Sequence, residues 1–170
     1  MHLFYLFLYS LSLALLLPVL APFWHILYFI PFIILCFYQA TLCTCLWWSL
    51  ICGFIVDLLA AETRLGNYAI NYCLTTLLLY RYQSLFFEDR FTTLPSMAFF
   101  FHFVSTFIQI ITFSLIGRPF MISPSWMFND LFLLSFQVAI FSILAFTIPS
   151  LILISFRRRY LIYRLSRRRS

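Results

Sequence analysis

Residues 42–61 read LCTCLWWSLICGFIVDLLAA, and a single acid, Asp57, interrupts an otherwise uncharged, largely apolar run. An α-helix rises about 1.5 Å per residue, so some twenty residues cover the roughly 30 Å of bilayer hydrocarbon. The stretch therefore reads as a membrane-spanning helix. A carboxylate inside such a helix is costly unless it is paired or hydrogen-bonded, which makes Asp57 a functional-site candidate. Gly53 lies four residues earlier and shares the face of Asp57 one turn away. A residue without a side chain beside a carboxylate leaves space for a partner side chain, a water or a neighbouring backbone.

The rest of the chain agrees with that reading. Of its 170 residues 64% are hydrophobic and only 9% are charged, against about 45–50% apolar for an ordinary soluble domain. So few charges cannot cover the surface of a soluble fold. The apolar runs are continuous and do not alternate with period two, which argues against a β-barrel. The expected class is all-α: a polytopic membrane helix bundle of about six transmembrane helices, with 1–156 as the transmembrane domain and 157–170 as a basic tail.

Prolines and charges set the expected spans. Leu3 to Tyr38 contains no Asp, Glu, Lys or Arg and is punctuated by Pro18 and Pro22. Proline lacks a backbone donor and clashes with the preceding turn, so the pair predicts a tight turn between spans at about 3–20 and 23–39, with Pro31 a potential kink in the second. One span plus a re-entrant piece also fits the first forty residues, leaving five spans instead of six. Further spans are expected at about 42–60, 68–87, 95–116 and 131–155, the fourth interrupted by Arg81 so that its hydrophobic part stops near Tyr80, and the sixth containing Pro149. Trp24 and Trp126 suit the interface, where aromatic side chains concentrate. The N-terminus carries no basic n-region, so the first helix is expected to be uncleaved.

All eleven basic residues are Arg, and seven of them, Arg157, Arg158, Arg159, Arg164, Arg167, Arg168 and Arg169, fall in the tail. With six spans this end shares a side with Arg81 and Arg90, leaving only Arg64 and Arg118 opposite. The positive-inside rule then predicts that both termini are cytoplasmic. Such a cluster beside a final span reads as a segment facing anionic lipid, each basic residue contributing about 1 kcal/mol near the surface. Nucleic-acid binding is the competing reading of an Arg run, and the shortness of this run and its tie to the bilayer weigh against it. The five cysteines lie in or beside apolar runs and read as packing residues. Cys43 and Cys45, two apart, point to different helix faces and make a poor metal pair.

Catalytic signatures are missing. The sequence has no H-E-x-x-H, no G-x-S-x-G and no phosphate-binding glycine loop, its only glycines being Gly53, Gly66 and Gly117. No enzyme and no cofactor are expected. The polar groups near Asp57 suggest a corner instead. Glu62, Arg64 and Gly66 form a turn able to fold back toward Asp57, and Asn71, about one turn into the next span, is placed to hydrogen-bond across to it. His102, Ser105, Thr106 and Gln109 make a polar stripe on the fifth span, with Gln137 as its expected counterpart on the sixth. His25 reads as a packing residue.

The segment Gly53-Phe54-Ile55-Val56-Asp57-Leu58-Leu59, then Leu65-Gly66 after a short turn, then an apolar helix ending in Tyr80-Arg81-Tyr82-Gln83, resembles the rod shape-determining protein MreD family. A Pro-x-Trp element before the last span, Pro124-Ser125-Trp126, and the basic tail also fit. The turn departs from the family pattern, carrying Ala60-Ala61-Glu62 where a Ser-Gly pair is usual. The resemblance implies a non-catalytic bacterial inner-membrane subunit of the cell-shape and elongation complex. Its partners would be an MreC-like membrane protein, an MreB-like actin homologue and the peptidoglycan polymerase–transpeptidase pair. It also implies a fold similar to the substrate-binding membrane subunits of vitamin transporters. A small-solute-binding transporter subunit is the alternative, suggested by the intramembrane acid and the polar stripe.

Overall fold

The computed structural model describes residues 2–20, 27–59, 66–82, 90–115 and 127–149. Every regular element among them is helical. Six helical stretches follow one another: α1 (His2–Leu20), α2 (Ile30–Gln39), α3 (Leu42–Leu59), α4 (Asn67–Tyr80), α5 (Arg90–Leu115) and a composite α6. The last consists of a π-helical turn Met127–Leu133, an α-helical centre Leu134–Ser142 and a second π-helical turn Ile143–Thr147.

Among the described residues, two helices are long and apolar enough to cross a membrane, through Leu42–Leu59 and Thr93–Thr112. The apolar segments Leu3–Val19, Ile30–Gln39 and Leu131–Thr147 are shorter. The third expected span coincides with α3. The second does not extend over 23–39: α2 starts only at Ile30, after a turn at Tyr28 and Phe29. Pro31 therefore sits in the first turn, where its missing N–H has no helical acceptor to lose, and it starts the helix instead of kinking it. Ten residues give α2 a length of about 15 Å. Seven of them are buried, so α2 is a short central post wrapped by the other helices. That explains why its sequence is apolar all round.

The proline expectation at the end of α1 also changes. The helix continues through Pro18 to Leu20. The turn expected at Pro22, together with Trp24 and His25, lies outside the described residues, as do Trp126, Pro124 and the remainder of the last span beyond 149. α4 ends at Tyr80 with Arg81 as its C-cap, where the charge of Arg81 is expected to end the apolar part of the fourth span. α5 begins five residues early, at Arg90, and incorporates Pro95 near its start.

Aromatic contacts knit the bundle, as the abundance of Phe leads one to expect. Phe7 of α1 meets Trp48 of α3 at 4.9 Å between ring centroids, and Phe32 of α2 meets the same indole edge-on at 5.4 Å. Tyr72 of α4 packs edge-on against Phe101 of α5 at 5.8 Å. Phe103 of α5 does the same with Phe132 of α6 at 6.0 Å. Such pairs contribute about 0.5–1.5 kcal/mol each beyond the area they bury.

Polar contacts join the same helices in order. Ser10 of α1 donates to the Tyr28 carbonyl just before α2 at 3.2 Å. The Cys45 thiol of α3 donates to the Cys36 carbonyl of α2 at 3.3 Å. Ser49 of α3 and Thr76 of α4 lie 2.6 Å apart, hydroxyl to hydroxyl. Asn71 of α4 donates to Ser105 of α5 at 3.0 Å, and His102 of α5 meets Ser135 of α6 at 2.9 Å. Tyr9 of α1 donates to the Ala145 carbonyl in the second π-helical turn of α6 at 3.1 Å, which closes the circle. Apart from the exposed Tyr9–Ala145 bond, each link places a donor opposite an acceptor in the interior, so burying these groups incurs little uncompensated desolvation.

Candidate functional site

The α3–α4 corner is built from the α3 face that carries Cys45, Ser49, Cys52, Gly53 and Asp57, all buried and spaced at helical intervals. Ser49, Gly53 and Asp57 of this face meet α4, while Cys45 turns to α2. At its outer end the Asp57 side chain is only 2% exposed. One carboxylate oxygen, Oδ2, accepts the backbone N–H of Gly66 at 3.0 Å and of Ala69 at 3.2 Å. The other, Oδ1, accepts the N–H of Tyr68 at 3.1 Å.

The physical reason lies in α4. The first turn of a helix has N–H groups with no intrahelical acceptor, and a side chain at the N-cap normally takes one of them. The N-cap here is Gly66, which has no side chain to offer. Asp57 supplies the cap from the neighbouring helix, and the positive end of the α4 dipole faces its negative charge. The buried acid is thus compensated entirely by backbone among the described residues. Gly66 adopts φ +97°, a left-handed conformation that glycine reaches without steric cost. Among the described residues nothing lies within 4 Å of where its Cβ would stand, so the left-handed backbone is what calls for glycine there.

Gly53 has the opposite requirement. A Cβ at this position would stand 2.7 Å from the Ala69 nitrogen and 2.8 Å from the Tyr68 carbonyl oxygen, and would also collide with the Ala69 Cα. The backbones of α3 and α4 therefore touch where Gly53 faces Ala69, one turn from the capped end. The neighbouring-backbone option for the space beside Asp57 is the one realised. Gly53, Asp57 and Gly66 together form one backbone-to-backbone corner.

Asn71 is not part of it. The sequence pattern suggested a bond to Asp57, but the Asn71 amide donates to Ser105 on α5 and its Oδ1 accepts the Thr75 hydroxyl at 3.4 Å. Asn71 lies two residues beyond the last N–H that Asp57 takes, which turns it to the α5 side of α4. His102 likewise meets Ser135 on α6 and not Gln137, which stands two residues further along and so on a different face of the helix. The Ser135 hydroxyl donates to the Leu131 carbonyl at 2.5 Å, so its lone pair is left for an N–H at His102 Nδ1. Arg64 and Glu62 in the turn, and the tail residues Arg157, Arg158, Arg159, Arg164, Arg167, Arg168 and Arg169, lie outside the described residues.

Sequence reading missed the Ser49–Thr76 pair. Its signal was present: Ser49 stands one turn before Gly53 on the same face, continuing the Gly53–Asp57 line. Among the described residues no group of three or more His, Cys, Asp or Glu side chains is arranged to hold a metal ion. An open groove of about 390 Å³ runs along the outside of α3 and α4, lined by Cys43, Leu46, Trp47, Leu50, Cys73, Leu74 and Leu77. Its walls offer apolar contact and no charged side chain. Chemically, the corner can hold two helices in one register and present a rigid outer surface; its acid is already occupied. No family model matches the chain, and no curated protein or solved structure is significantly similar to it.

Proposed function

We propose that this chain is a non-catalytic, multi-span subunit of the bacterial inner membrane that helps organise the cell-elongation complex guiding peptidoglycan synthesis, as its likeness to the MreD family implies. The observation that carries the reading is the corner itself. Three of the residues that bear the resemblance, Gly53, Asp57 and Gly66, converge on one interaction, the capping and close docking of α4 by α3. A motif with a shared structural purpose is expected in a protein that works by shape and docking. In this reading the bundle has about six spans with both termini in the cytoplasm. The seven tail arginines face anionic lipid and cytoplasmic partners. The partners are an MreC-like membrane protein, an MreB-like filament and the polymerase–transpeptidase pair.

A small-solute-binding transporter subunit is the second reading, and it drew on Asp57 and on the polar stripe of α5. The carboxylate is engaged by three backbone donors, while His102 and Ser105 are engaged by neighbouring helices. These engagements favour the docking role.

The test is recovery of tagged protein from membranes, combined with depletion in the host. Co-purification of elongation components and loss of rod shape on depletion are expected. Recovery of none of them, with normal cell shape on depletion, would refute the proposal. A small molecule retained through mild detergent purification and lost in a folded Asp57→Ala variant would favour the transporter reading instead.

A further inference from the structure

We draw no further inference here: the strongest candidate, the apolar groove along the outside of α3 and α4 between Cys43 and Leu77, is open on its outer side and nothing in the structure shows what covers it.

Discussion

Asp57 illustrates how a costly group becomes a structural asset. Its charge would be prohibitive in an apolar bundle, but it meets three N–H groups that would themselves be unpaired at the start of α4. Two liabilities cancel. Hydrogen bonds to a charged group contribute about 1.5–3 kcal/mol each, and leaving buried donors without an acceptor costs about 1–3 kcal/mol. Replacing Asp57 by Ala should therefore destabilise the protein by roughly 2–4 kcal/mol, since partial relaxation and water entry recover some of the loss. Asp57→Asn keeps one carbonyl acceptor and should lose clearly less. Thermal unfolding of both variants in detergent checks the order; equal losses would mean that charge alone matters. Gly66 allows a cleaner separation of conformation from contact, because no described residue stands within 4 Å of where its Cβ would be. Gly66→Ala should cost about 1–2 kcal/mol from the left-handed backbone alone. Gly66→Asn should cost less, since Asn tolerates that region better. The same unfolding assay reads both.

Among the helices, adjacency is written in small polar residues. α3 and α4 make the closest pair, through Gly53 against Ala69 and through Ser49 with Thr76. α4 and α5 are tied by Asn71 and Ser105, and α5 and α6 by His102 and Ser135. Buried side-chain bonds between membrane helices average about 0.6 kcal/mol in double-mutant cycles. A cycle on Asn71→Leu and Ser105→Ala should return a coupling of that size, whereas Asn71→Leu with Asp57→Ala should be additive. The reverse pattern would restore the Asp57–Asn71 bond suggested by spacing. Helix extents were partly legible. α3 starts after a break in helical structure at Ala40 and Thr41, and its described residues agree with the sequence expectation. The sequence expectation places the start of α2 too early because Leu27, Tyr28 and Phe29 are apolar like the helix that follows, and hydropathy cannot tell a buried turn from a buried helix. Pro31 held the correct information: proline is favoured in a first turn, so it marks a helix start as readily as a kink.

For the bundle as a unit, the distribution of arginine remains the strongest handle on orientation. A reporter that is active only in the periplasm should be silent when fused after Ser170, and one that is active only in the cytoplasm should work there. The opposite result would overturn both the arrangement of spans and the proposed role of the tail. Helical class and apolar character could be read without coordinates because they are sums over neighbouring residues: average hydropathy, charge density and the period of the pattern. The partners of buried polar groups could not be read in that way. Whether Asp57 meets Asn71 or the Ala69 N–H depends on the rotation and depth at which α3 and α4 come together, and that is settled by where Gly53 lets two backbones touch. A chain position specifies which helical face a side chain occupies; only packing among helices specifies what stands opposite it.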